Sequence, residues 1–272
     1  MKLVMHSVGD GAPEVGALEG EEIRPLAHES MLDFIEYGGS PEPGEDVVPL
    51  SEARLHAPIP NPEKIVAIGL NYVDHAEETG APIPEKPVVF TKYPNTIVGP
   101  GEAIRIPPIT EQVDYEAELA VVIGKTARNV SESKALDHVF GYANANDVSS
   151  RDLQFSEGGQ WTRSKSIDTF MPFGPFIATT DEVPDPQNIS IRAVLNGETV
   201  QDGMTARMIF SVAEIVAFLS TGMTLVPGDV IIPGTPPGVG LARDPQLWMK
   251  PGDEVTIEIE NLGALTNPVE AE

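Results

Sequence analysis

No cysteine occurs anywhere in the 272 residues, which excludes disulfides, thiolate-held zinc and a thiol nucleophile. No apolar run reaches the roughly 18 residues that a membrane-spanning helix needs. The opening stretch Met1-Lys2-Leu3-Val4-Met5-His6 is too short in apolar residues for a signal peptide. Basic residues are scarce: 17 Lys and Arg face 42 Asp and Glu, a net charge of -25. Such a surface repels nucleic acid and anionic membranes, so neither is expected as a partner. It also resists anionic substrates unless a metal or a few placed cations reverse the local field. One reading of the surplus is solubility in high salt. Together these absences describe a soluble protein of the cytoplasm, and with only eight lysines any lysine inside a motif stands out.

What is present suffices for a core, since 41% of residues are hydrophobic. The chain length suits one large or two small domains. Residues 1–60 read as a small N-terminal unit, with 12 acidic and three basic residues. It carries a short helix near Ser30–Tyr37 and a Gly/Pro cluster from Gly38 to Gly44. Pro58, Pro60 and Pro62 mark a linker. Residues 61–272 then hold many short strands. Asn196-Gly197 predicts a type I′ hairpin. Ser211 and Glu214 predict a capping box, and Val226–Asp229 and Lys250–Asp253 predict turns into strands.

The stretch with most chemistry is Asp114-Tyr115-Glu116-Ala117-Glu118-Leu119-Ala120-Val121-Val122-Ile123. Its alternation predicts a strand. Ala117, Leu119, Val121 and Ile123 share one face, and Glu116 and Glu118 share the other, with Cα atoms roughly 7 Å apart. Two adjacent carboxylates suit a divalent cation, because hard cations take oxygen ligands; a solvent-facing acidic strand is the bland alternative. Asp147 ends an extended run, Phe140–Asp147, and supplies a third carboxylate. A helix follows it, with Ser149 and Asp152 predicted as a capping box and Arg151 and Gln154 on one face.

Upstream, the strand Lys64–Leu70 leads into a short helix over residues 71–80. His75 and Glu78, three apart, share a helical face there, and a carboxylate beside an imidazole makes a general base. Pro82, Pro84 and Pro87 follow, so this helix reads as a flap able to close over a site. Lys165 lies within Gln160–Phe170, a polar stretch with aromatics. The loop Gly234-Thr235-Pro236-Pro237-Gly238-Val239-Gly240 lacks both the P-loop and the dinucleotide pattern. It lets backbone approach a ligand, with the Thr235 hydroxyl on offer.

In this order the five motifs resemble the fumarylacetoacetate hydrolase family over residues 61–272. They are Asn71-Tyr72 through His75 to Glu78, Asp114 to Glu118, Asn146-Asp147 with Arg151 to Gln154, Lys165 to Phe170, and Gly234 to Gly240. The resemblance implies an α+β, β-rich fold, a mixed β-sandwich roll preceded by a small N-terminal domain, and a homodimer. It implies that Glu116, Glu118 and Asp147 bind Mg²⁺ or Mn²⁺, and that His75 and Glu78 are the acid/base dyad on a lid. Lys165 assists by charge, Gln154 and Arg151 orient substrate or water, and Thr235, beside Gly234, holds a substrate carboxylate. Gly158 and Pro84 stand where the animal fumarylacetoacetate enzyme has Tyr and Arg, which argues against fumarylacetoacetate itself as substrate.

The implied activity is metal-dependent C–C hydrolysis of small 2-oxo or 2,4-dioxo acids of the acylpyruvate type, through an enolate. The same electron sink serves decarboxylation or isomerisation, of oxaloacetate or of 2-hydroxyhepta-2,4-diene-1,7-dioate. Ureidoglycolate lyase activity and a non-catalytic metal-binding role are the remaining alternatives.

Overall fold

The computed structural model describes residues 1–26, 28, 30–37, 47–156 and 158–272. The Gly38–Gly44 cluster lies outside them. The centre of the fold is the strand Ala117–Ile123, buried along its whole length. It pairs antiparallel with Val139–Asn146 on one side and with Val230–Ile232 on the other. Beyond Val230–Ile232 the sheet continues through Ile65–Gly69 to the edge strand Val88–Lys92. In the other direction it runs through Met171–Thr179 to Lys2–Val8, where Leu3 faces Ile177. The strands Glu14–Glu19, Glu22–Pro25 and Val48–Pro49 complete that end. The described strands among the first sixty residues thus extend the central sheet at one edge.

A second, five-stranded sheet, in the order Glu198–Met204, Ser190–Leu195, Glu254–Ile259, Gly263–Ala271 and Ile104–Ile106, covers one face. Leu119, Val121 and Ile123 of the central strand share a buried cluster with its Ile191, Ile257 and Leu265. The opposite face is not left to water. Ala120 and Val122 pack in a second cluster with Met31, Phe34 and Ile35 of the helix Met31–Tyr37. The central strand is therefore apolar on both faces beyond Glu118, as a buried strand between two layers must be. The architecture is the expected β-rich mixed sandwich roll. No helix among the described residues is long and apolar enough to cross a membrane.

The punctuation read from sequence is largely in place. Asn196 and Gly197 take positive φ values of 52° and 82° and join Leu195 to Glu198, as a I′ turn requires. The Ser211 hydroxyl accepts from Glu214 N and the Glu214 carboxylate accepts from Ser211 N, opening the helix Val212–Gly222. Asp229 and Asp253 each fold back to accept an N–H at the head of their turn, from Val226 and Lys250.

One element differs. The capping box predicted for Ser149 and Asp152 does not form. Ser149 and Ser150 instead pair with Val113 and Asp114 as a short antiparallel ladder, and the Ser149 hydroxyl donates to Asp147 O. The helix Arg151–Ser156 starts without that box because the Asp152 carboxylate turns away. It accepts from Thr110 Oγ1, Ser150 Oγ and Glu111 N at 2.6, 2.7 and 2.9 Å.

Removing one end of a capping box that is fully formed costs about 1 kcal/mol. Ser211→Ala should lower the unfolding free energy by that amount in chemical denaturation; an unchanged midpoint would count against the cap.

Candidate active site

Glu116 and Glu118 sit at the entry of the central strand, where it leaves the short strand Val113–Asp114. Both are buried, which disposes of a solvent-facing acidic strand. Asp147 follows the neighbouring strand Val139–Asn146, and antiparallel pairing of Ala117 with Asn146 brings it alongside. One carboxylate oxygen from each of the three lies within 4.8 Å of the others.

Buried charges demand partners, and three cations supply them. Lys165, on the short helix Trp161–Lys165, donates to Glu116 Oε2 at 2.7 Å and Asp147 Oδ2 at 2.6 Å. Lys92, the last residue of the edge strand, donates to Asp147 Oδ1 at 2.7 Å. Arg151 donates from Nη2 to Glu116 Oε1 at 2.6 Å, from Nε to Asp114 Oδ2 at 2.9 Å and from Nη1 to Gln154 Oε1 at 3.0 Å. Asp114 is held further by the amides of Gly240 and Leu241. Burial opposes ionisation of Glu116, but Lys165 and Arg151 beside it hold its carboxyl far below the usual carboxylate range.

Glu118 is different. It pairs with no cation among the described residues, and its Oε2 accepts one hydrogen bond, from Gly234 N at 2.6 Å. Burial, reinforced by the negative charges of Asp147 and Glu116, drives it well above the usual range. Four buried carboxyl groups thus face three buried cations, which leaves Glu118 without a cationic partner. Asn146 Nδ2, beside Asp147, is buried without a partner. Clustered oxygen donors with one carboxyl group unmatched fit a divalent cation.

Over this floor stands the helix Val73–Thr79, stopped by Gly80 in the left-handed conformation, φ 67°. His75 Nδ1 lies 3.2 Å from Glu78 Oε2, while Glu78 Oε1 accepts from Gly238 N at 2.9 Å. One carboxylate therefore orients the imidazole and ties the helix to the 234–240 loop. Asp74 is gripped through two nitrogens of Arg207. At the helix base the buried Asn71 side chain bonds Phe210 N, Phe210 O and Pro233 O, fixing a corner where Leu70 takes φ 52°.

A cavity of about 330 Å³ opens between lid and floor, lined by His75, Glu116, Glu118, Arg151, Gln154, Lys165, Gly234 and Thr235 among others. Asp147 lies beneath this lining, and Glu78 lies behind His75. Gly234 and Thr235 are where the sequence places them but are already engaged. The Gly234 N–H serves Glu118, and the Thr235 hydroxyl donates to Ala117 O while accepting from Gln201 Nε2. They build the wall, with the Gly234 N–H and the Thr235 hydroxyl both already engaged.

Sequence reasoning missed Lys92, Asp114 and the aromatic wall of Phe90 and Trp161. Lys92 had a signal. It is a rare lysine closing a strand two residues after Phe90, so both side chains point to one face.

The chain belongs to the fumarylacetoacetate hydrolase family, an enzyme family. The model of the fumarylacetoacetate (FAA) hydrolase C-terminal domain matches residues 64–270. Among individual relatives, a mitochondrial oxaloacetate tautomerase of Xenopus laevis is 46% identical over 248 residues, 88% of this chain and 78% of that protein. The human mitochondrial oxaloacetate tautomerase FAHD2A is 46% identical over 224 residues, 82% of this chain and 71% of that protein. The crystal structure of 2-hydroxyhepta-2,4-diene-1,7-dioate isomerase from Mycobacterium marinum superposes with a TM-score of 0.85 at 39% identity, covering 100% of this chain and 99% of that one.

Burial and the neighbouring negative charges push the Glu118 carboxyl well above the usual range, and a carboxylate must be ionised to hold a cation. Titrating Mg²⁺ or Mn²⁺ into weakly buffered protein should therefore acidify the solution. Glu118→Gln should abolish both the proton release and the binding. Binding at unchanged strength in that variant would remove the site.

Proposed function

We propose that the protein interconverts the enol and keto forms of oxaloacetate and related small 2-oxo acids. The observation that carries this reading is that His75, oriented by Glu78, faces the same cavity as Glu116, Glu118 and Lys165. Relatives at 46% identity named as oxaloacetate tautomerases support it. A homodimer is proposed on the family resemblance.

Glu116, Glu118 and Asp147 would hold the divalent ion, Mg²⁺ or Mn²⁺. Bound there, it supplies Lewis-acid polarisation of the substrate's 2-oxo group. Everything else falls to side chains of this chain. With Nδ1–H turned to Glu78, His75 keeps Nε2 as the basic nitrogen. It takes the C3 proton of the keto form and returns it to the enol. Lys165 keeps a fixed positive charge beside the oxygen on which negative charge grows, at no reorganisation cost. Gln154, oriented by Arg151, offers its amide N–H to the substrate. The lid excludes water, which protects the enolate from stray protonation.

Hydrolysis of a C–C bond in 2,4-dioxo acids, the first expectation from sequence, stands second. It needs the same groups plus a water aimed at a distal carbonyl, whereas the named relatives catalyse tautomerisation or isomerisation. Decarboxylation of oxaloacetate shares the enolate and is separated by its product.

The test follows the decay of enol absorbance of freshly dissolved oxaloacetate with Mg²⁺, with pyruvate and CO₂ assayed in parallel. Keto product should form faster than either cleavage product. His75→Ala should lower kcat at least about 100-fold, as loss of a general base does, while metal uptake persists. An unaltered rate in that variant would sink the assignment.

A further inference from the structure

The cavity has two unlike ends. Its floor is the charged cluster just described. Its far wall is aromatic, and the two meet abruptly: Lys165 Nζ lies 5.1 Å from the centroid of the Phe90 ring. Trp161 stands edge-on to Phe90, with centroids 5.4 Å apart and planes at 74°. The indole is seated against bare backbone. A Cβ on Gly69 would lie 2.2 Å from Trp161 Cζ3, so this placement of Trp161 requires glycine at 69. Phe155, 57% exposed, adds a third ring to the same lining.

The second carboxylate of oxaloacetate would need a cation away from the floor. Among the described residues, the two Lys or Arg side chains that line the cavity are Lys165 and Arg151. Each already sits between two carboxylates, Glu116 with Asp147 and Glu116 with Asp114. The wall itself offers ring faces, which carry partial negative charge and favour another ring over an anion. A cavity of this size, mostly apolar with polar groups at one end, suits an amphiphilic ligand.

We propose that the site also tautomerises arylpyruvates, 2-oxo acids bearing an aromatic ring on C3, with the ring lodged against Phe90 and Trp161. The proposal rests on the tautomerase reading and names a second substrate class for the same site. The step balances without a co-reactant. The enol O–H gives up its proton as C–O becomes C=O, the C2=C3 double bond closes to a single bond, and C3 gains one proton from His75. Nothing is oxidised or reduced, and the base is reset by the proton released.

The experiment measures kcat/KM for enol-phenylpyruvate and enol-oxaloacetate with the full chain and Mg²⁺. The phenylpyruvate enol is read as its borate complex in withdrawn samples. Phenylpyruvate should be turned over with kcat/KM no more than about tenfold below that of oxaloacetate. Trp161→Ala should shift the ratio of the two at least about fivefold toward oxaloacetate, the scale of one lost ring contact. Phe90→Leu, a milder change, should shift it the same way and serves if the first variant fails to fold. Oxaloacetate turnover without phenylpyruvate turnover, or an unmoved ratio in a folded variant, overturns the proposal and spares the tautomerase reading. Turnover of neither enol overturns both.

Discussion

The ion pairs of Lys165 with Glu116 and Asp147 hold the site together. They join three pieces of chain far apart in sequence: the entry of the central strand, the end of its neighbour, and the short helix that carries the lysine. All three side chains are buried, so losing any one strands a charge in a low-dielectric interior. Breaking a buried pair costs about 3–5 kcal/mol for that reason. The cluster is therefore a structural commitment as well as a chemical one. Lys92 and Arg151 extend it at either side, and burial lowers the proton affinity of Lys92 while the carboxylates around Lys165 raise its own. A fixed cationic charge next to an unpaired Glu118 is what gives the floor its asymmetry.

A chain of net charge -25 carries its surplus on a surface where charge is screened within about 10 Å at ordinary ionic strength. The buried cations answer a different problem, since each is paired with the carboxylates beside it. The acidic exterior and the charge balance of the interior are set independently.

How much of this was legible beforehand follows from what each signal depends on. Strand periodicity, the Asn196-Gly197 turn and the Ser211/Glu214 box are local, and the structure has them. The grouping of Glu116, Glu118 and Asp147 was implied by the family resemblance, and the pairing of Ala117 with Asn146 shows what brings them together. The Ser149/Asp152 box was a local signal that lost to a tertiary one: Thr110 and Glu111, some forty residues earlier, offer Asp152 better donors. Lys92 and Asp114 were passed over because their partners are set by sheet order, which no spacing rule encodes. The same holds for the aromatic wall, since Trp161 meets Gly69 only after the helix Trp161–Lys165 docks on the sheet. Gly234 and Thr235 line the cavity, yet which atoms their donors serve could be read only from three dimensions.

The lid shows how local and tertiary terms combine in function. Its helix spans seven residues, too short to be stable alone, so docking must hold it. The contacts that do so are modest: the Asp74–Arg207 pair is solvent-exposed, and such pairs contribute about 0–1 kcal/mol. Asn71 anchors only the base. The remaining tie is Glu78, whose two oxygens serve His75 and Gly238 together. Orientation of the base is thereby coupled to seating of the lid on the 234–240 loop, whose Gly234 amide in turn holds Glu118. The contact that sets the imidazole is therefore also a contact that seats the helix, so displacing the helix from the 234–240 loop would release His75 from the orientation that Glu78 imposes.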